Sequence, residues 1–191
     1  RSEFRSGFAG LTGVADGVPL TIALTIVSKS TCAPLAGQAV YLWHCDRPGR
    51  YSLYTAGVTN QNFLRGVQAA DSNGQVTFTS IFPACYSGRW PHIHFEVYSS
   101  VADATSSGPI VKTSQIALPK ETCDVVYATD GYSSSVRNLS QVSLQRDNVF
   151  RPAFARGGVC RERRRGRRGW IQRGSQAPRL CVNWAEVLHR C

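Results

Sequence analysis

The strongest constraint on this chain is a period-two alternation that returns along its sequence. From Val18 to Ser28 (Val-Pro-Leu-Thr-Ile-Ala-Leu-Thr-Ile-Val-Ser), apolar residues alternate with small or polar ones. In a strand, successive side chains point to opposite faces, so such a run places one face on a core. Similar runs occur at Ala39–Trp43, Gln75–Ser80, Ile93–Tyr98 and Lys112–Leu118. Turn signals separate them: Ala36-Gly37, Arg47-Pro48-Gly49, Asp71-Ser72-Asn73-Gly74 and Ser106-Ser107-Gly108-Pro109. Asn73-Gly74 between apolar runs predicts a tight turn. Short strands at this spacing predict an all-β fold, a β-sandwich with short helical insertions, over residues 1–150. Glu121–Tyr127 and Ser135–Leu144 are the only short helices the pattern predicts before residue 150. No internal repeat is visible.

Composition narrows the class. With 42% apolar and 18% charged residues among 191, the chain can bury a sizeable core and is not wholly disordered. No apolar run approaches the about 18 residues of a membrane span. Residue 1 is Arg and Met is absent, so the chain is expected to be a processed product or a fragment. The net charge of +10 is unevenly spread. Residues 1–150 carry 11 Lys and Arg against 10 Asp and Glu, whereas residues 151–191 carry 11 Arg against 2 Glu. The body is nearly neutral, and specific nucleic-acid binding is not expected of it.

His92-Ile93-His94 is the sharpest chemical feature. On a strand, residues i and i+2 share a face, so both imidazoles would converge while Ile93 points the other way. Pro91 suits a strand start. Tyr51 follows the turn at Pro48-Gly49, and Tyr86 lies between a strand and the histidine pair. A phenolate is a hard anionic oxygen ligand, suited to Fe(III) and unlike the free phenol of pKa about 10. Two imidazoles and two phenolates would leave iron an open position. The bland alternative makes these ordinary strand histidines and core tyrosines. Two other metal sets compete: His44 and Asp46 with a further His, as in a facial-triad Fe(II) oxygenase or a metal hydrolase, and His92, His94 and Glu96 along one strand face. No Gly-x-Ser-x-Gly turn suggests a serine hydrolase, and no phosphate-cradling Gly loop is present.

Four segments in order carry a family likeness. They are Tyr41-Leu42-Trp43-His44-Cys45-Asp46-Arg47-Pro48-Gly49-Arg50-Tyr51-Ser52, Asn62-Phe63-Leu64-Arg65-Gly66-Val67-Gln68, Ser80-Ile81-Phe82-Pro83 with Tyr86, and Gly88-Arg89-Trp90-Pro91-His92-Ile93-His94-Phe95. Together they resemble the intradiol ring-cleavage dioxygenases, the catechol and protocatechuate dioxygenases with non-haem Fe(III). The likeness covers about residues 10–150 and is to the compact, secreted-type bacterial members. No helical dimerisation segment like that of the catechol 1,2-dioxygenase branch precedes the first strand.

The resemblance implies iron ligands Tyr51, Tyr86, His92 and His94. It implies that Tyr86 is displaced by substrate and takes its proton, and that Arg89 stabilises negative charge during attack by O2. Gln115 matches an active-site glutamine of the family. His44, Asp46 and Glu96 become supporting residues. The implied reaction opens a catechol-type ring between its hydroxyls with O2, giving a cis,cis-muconate-type diacid, as in aromatic catabolism, without an organic cofactor. The alternatives are a non-catalytic β-sandwich binding module and the His44/Asp46 enzyme. The oligomeric state is left open.

Four cysteines, Cys32, Cys45, Cys85 and Cys123, lie in the body. If Tyr51 and Tyr86 share one iron, Cys45 and Cys85 fall near each other and Cys32 is left for Cys123. Two such disulfides would indicate an oxidising compartment, and a secreted or extracytoplasmic location is expected. The alternative is buried free thiols. After Phe150 the pattern changes abruptly. Six arginines crowd residues 161–168, no Lys occurs, and no strand-like alternation is read after residue 151. Family members continue with strands that finish the sandwich, so these are expected to be missing here. Residues 151–191 read as an RNA- or membrane-binding arm, a solvated disordered tail or, preferred, an out-of-frame translation of a GC-rich gene.

Overall fold

A computed structural model describes residues 1–28 and 31–151, and the backbone of residues 179–183. Among the described residues, seven strands form two sheets. They are β1 (Pro19–Thr25), β2 (Ala39–Trp43), β3 (Arg65–Ala69), β4 (Gln75–Ile81), β5 (His92–Tyr98), β6 (Ile110–Ala117) and β7 (Arg179–Asn183). Three short helices are α1 (Val101–Thr105), α2 (Lys120–Tyr127) and α3 (Ser133–Leu139). One sheet has the order β4-β1-β7 and the other β3-β2-β5-β6. Every pairing is antiparallel except β1 with β7. This is the expected β-sandwich, the fold class read from alternation.

The alternation decides which face each strand buries. Leu20, Ile22 and Leu24 of β1 face Val76 and Phe78 of β4 on the inner side of the first sheet. Val40 and Leu42 of β2, Ile93, Phe95 and Val97 of β5 and Ile116 of β6 complete the core from the second sheet. Burying each large apolar side chain contributes about 1.5–3 kcal/mol. Phe4, fully buried ahead of the first strand, packs edge-on against Phe78.

The Asp71–Gly74 turn forms, with Gly74 at φ +73° and the Asp71 carboxylate accepting from the amides of Asn73 and Gln75 at 2.8 Å each. It joins β3 to β4, which belong to different sheets, so it passes the chain across the sandwich. Three further readings are corrected. Helix α1 was not expected; Ser100 caps it by accepting from the Asp103 amide at 3.1 Å, and it buries no residue, so no apolar periodicity marks it. β3 was also missed, because Arg65-Gly66-Val67-Gln68-Ala69 barely alternates and borrows its order from β2. β7 falls in the segment read as free of strands; Leu180-Cys181-Val182 is short enough to escape an alternation test, and its register comes from β1. The arginine cluster of residues 161–168 lies outside the described residues. No helix among the described residues is long and apolar enough to cross a membrane.

The two-disulfide expectation is overturned. Cys45, Cys85 and Cys123 are buried free thiols, and Cys32 is disulfide-bonded. The pairs Cys45–Cys85 and Cys32–Cys123 therefore do not form. The Cys45 thiol donates instead to the Ala84 carbonyl at 3.6 Å and Cys85 to that of Arg89 at 3.5 Å. Burial pushes both thiols up to about 12, which makes them unreactive.

Candidate metal centre

The four residues proposed as ligands come from three parts of the chain. His92 and His94 lie on β5, one residue apart, with Ile93 buried in the core between them. Tyr51 lies on the long β2–β3 connection and Tyr86 on the β4–β5 connection. Each connection is fixed by its own contacts. The Tyr51 amide donates to Thr55 Oγ1 at 2.9 Å, and the next residue, Ser52, donates to the Phe63 carbonyl at 2.6 Å. The Arg65 guanidinium, almost fully buried, grips Ser52 through Nε to Oγ at 3.1 Å and Nη2 to the carbonyl at 2.7 Å.

The Tyr86 connection is clamped by α2 and α3. Tyr127 donates to the Pro83 carbonyl at 3.0 Å and Tyr132 to that of Phe82 at 2.7 Å. The Cys85 amide donates to Ser135 Oγ at 3.0 Å, and Asn138 Nδ2 to the Cys85 carbonyl at 2.8 Å. Gly49 lets the two connections meet: its φ of +91° suits glycine, and a Cβ there would stand 3.3 Å from Tyr86 Cβ.

These constraints bring four donor atoms together. Tyr51 Oη lies 3.1 Å from His94 Nε2 and 3.4 Å from His92 Nε2. Tyr86 Oη lies 3.2 Å from His92 Nε2, and the two Nε2 atoms are 3.1 Å apart. The Trp90 carbonyl, 2.5 Å from His92 Nδ1, holds the proton there and leaves the Nε2 lone pair facing the cluster. Trp43 stacks on His94 at 4.7 Å with an interplanar angle of 10°, and Tyr41 stacks on Trp43 at 5.2 Å.

Electrostatics in the cluster run against charge. Burial lowers His92 to about 4 and, with His92 and Arg89 adding to it, lowers His94 to about 3. Burial likewise raises the Tyr51 and Tyr86 phenols above their ordinary value. Without a cation all four groups are neutral, so the imidazole lone pairs are available at neutral pH. A bound cation reverses the balance for the phenols, whose two negative charges would then be compensated.

Arg89 and Gln115 join the site from its other side. Arg89 Nη2 donates to Gln115 Oε1 at 2.5 Å, and Arg89 Nε to Asp147 Oδ2 at 2.9 Å. Strand register explains Gln115: it pairs with His94, which pairs with Trp43, which pairs with Arg65. Arg65, Trp43, His94 and Gln115 thus form one row across the second sheet, on the face away from the core. The sequence reading missed Trp43 and Asp147 as site residues. Trp43 could have been found by pairing Ala39–Trp43 with Ile93–Tyr98; Asp147 left no local signal.

The competing metal sets do not assemble. His44 is buried with Nε2 2.7 Å from Ser80 Oγ and Nδ1 2.8 Å from the Cys45 carbonyl. Asp46 accepts from the Arg50 amide at 2.6 Å and from Arg50 Nε at 2.9 Å. Glu96 accepts from Tyr98 Oη at 2.7 Å. Among the described residues no three His, Cys, Asp or Glu side chains converge on a metal position, so the cluster depends on its phenols.

Comparison with known proteins places the fold in a family. A family model described as Dioxygenase matches residues 9–106. The solved intradiol ring-cleavage dioxygenase from Tetranychus urticae is 25% identical, with 100% of this chain and 88% of that chain covered and a TM-score of 0.73. A second solved dioxygenase is 27% identical, with 80% of this chain and 72% of that chain covered and a TM-score of 0.64.

Proposed function

Since this chain belongs to the intradiol ring-cleavage dioxygenases, we propose that it uses a non-haem Fe(III) held by Tyr51, Tyr86, His92 and His94 to open a catechol-type ring with O2, giving a cis,cis-muconate-type diacid. The observation that carries this is the spacing of the four donor atoms, 3.1–3.4 Å. A shell of nitrogen or oxygen donors at about 2 Å from one ion has edges of about 3 Å, so the cluster is the size of a coordination sphere. Two anionic phenolates with two neutral imidazoles suit a hard trivalent cation better than Zn(II), which takes N and S donors more readily. Such an ion would supply Lewis-acid activation of the bound catechol toward O2.

The protein's own groups divide the remaining work. Tyr86 is half-buried on a connection rather than a strand, and it is the group placed to give way and accept a substrate proton at Oη. Its raised pKa favours the protonated phenol once it is released. His92 and His94, fixed on β5, stay in place. Arg89 brings a guanidinium beside the cluster, where negative charge develops on the ring and incoming oxygen. Phe150, its ring centroid 6.4 Å from that of His92, covers one side. A secreted or extracytoplasmic setting is part of the same proposal, supported by the disulfide at Cys32.

The test is colour together with turnover. The iron-loaded protein should show a visible phenolate-to-iron charge-transfer band. Tyr86→Phe should keep part of its iron and a weaker, shifted band through Tyr51, while ring cleavage falls at least about 100-fold. A colourless protein with stoichiometric iron, or normal turnover in Tyr86→Phe, would reject the ligand set.

A further inference from the structure

Among the described residues, Asp147 is the carboxylate that holds Arg89 from a distant part of the chain. It is 3% exposed and lies on the turn after α3, 58 residues beyond Arg89. Its two oxygens divide their partners. Oδ2 accepts from Arg89 Nε at 2.9 Å and from the Trp90 amide at 2.9 Å. Oδ1 accepts from the amides of Val149 at 2.8 Å and Phe150 at 3.1 Å, with Arg89 Nη2 at 3.4 Å.

We propose that Asp147 is the positioning residue for Arg89, holding the guanidinium in the pose that meets charge developing on the substrate. This rests on the role given to Arg89 above. Asp147 takes the Nε edge of the fork and Gln115 takes Nη2. Among the described residues no hydrogen bond is made by Nη1, so this nitrogen keeps its donors for the substrate. Arg89 keeps 17% of its side-chain surface exposed, whereas the Asp147 side chain keeps none. A long side chain at a partly open site would otherwise sample several rotamers, and a fixed partner removes that freedom before the reaction. The same carboxylate caps the turn that carries Phe150, which explains why one residue can serve both segments.

Burial alone would raise the Asp147 carboxyl pKa, but the bonds from Arg89 and the three amides outweigh it and hold the group below the usual carboxylate value. The Asp147 carboxylate is therefore ionised at neutral pH. A guanidinium held by two edges is not replaced by an ammonium, which presents no planar fork.

The experiment is a double-mutant cycle on the iron-loaded enzyme with catechol as the probe. Asp147→Asn should retain iron and the visible band, bind catechol anaerobically with a Kd within about twofold, and lose about 10–100-fold in kcat. In an Arg89→Ala background the same substitution should change kcat by less than about twofold. An equal loss in both backgrounds, or a weakened Kd that accounts for the loss, would overturn the proposal and leave Asp147 a turn cap. Normal turnover in Arg89→Ala would overturn the role of Arg89 itself. If Asp147→Asn does not fold, Arg89→Lys decides: the proposal expects kcat within a few fold of Arg89→Ala, and wild-type kcat would sink it.

Discussion

In the β4-β1-β7 sheet the side chains facing away from the core include Thr21, Ala23, Thr77 and Thr79; in the β3-β2-β5-β6 sheet they are Arg65, Trp43, His94 and Gln115. Both sheets contribute large apolar residues to the same core from their inner faces. The outer face of the first sheet carries small residues, with Thr77 and Thr79 exposed and Thr21 and Ala23 half-buried. The second is covered by the Tyr51 and Tyr86 connections, and its outer face becomes a second interior lined with rings and charged groups. The strand pattern alone does not separate these two fates, because both read as alternation. What separates them is the connection: the β2–β3 and β4–β5 segments are long and packed, and their Tyr51, Ser52 and Tyr86 are hydrogen-bonded to His94, Arg65 and His92 of the sheet.

The comparison predicts that substitutions on the two faces of neighbouring residues fail in different ways. The largest effect is on the site face. His92→Ala or His94→Ala should lose iron and the visible band together, with ring cleavage falling to background, as read by iron analysis and O2 uptake. Retained stoichiometric iron in both variants would break the assignment. The core comes next. Phe78→Ala in β4 removes a fully buried ring and should cost about 3–5 kcal/mol of stability. The folded fraction should keep its band, since Phe78 contributes to the scaffold and not to the cluster. Loss of colour at temperatures where that variant remains folded would mean that the two faces are not independent.

The smallest effect concerns acid. Burial lowers His44 to about 4 against the Cys45 carbonyl that favours its charge, with His92 lowering it further. The unfolded chain binds this proton near pH 6.5, so stability is fully present above pH 6.5 and is lost as pH falls from there through about 4. Between pH 6.5 and 5 the loss from this residue is about 2 kcal/mol. Denaturant unfolding at the two pH values should show it, and His44→Asn should flatten the slope. An unchanged slope would exclude His44 as its source.

Most of the framework was legible in the sequence. The strand at Ala39–Trp43 agrees to the residue, and those at Gln75–Ser80 and Ile93–Tyr98 each differ by one at an end. The α3 prediction ran on to Leu144, whereas the helix stops at Leu139, because the residues beyond it turn back toward Arg89. The shared strand face of His92 and His94 was legible from their spacing, whereas Tyr51 and Tyr86 were joined to them through the family resemblance; the structure brings all four side chains together. The cysteine pairing was not: chain position suggested that Cys45 and Cys85 pair, but each of these two thiols donates to a carbonyl instead. Asp147 was not legible either. Its partners are 57 and 58 residues away, and nothing in Arg146-Asp147-Asn148 distinguishes it from an ordinary surface turn.

The placement of β5 between β2 and β6 has a kinetic consequence. Its amides and carbonyls are engaged on both sides, so hydrogen exchange there should follow the slowest, global opening of the domain. The two imidazoles ride on this strand, while the two phenols ride on connections outside the strand ladders, held by fewer backbone hydrogen bonds. The cluster therefore has two clocks. If iron binds as proposed, its phenolic ligands would be held by connections and its imidazole ligands by the most protected strand. Removal by a chelator should then proceed in a fast, reversible phase of loosening and a slow phase that tracks unfolding.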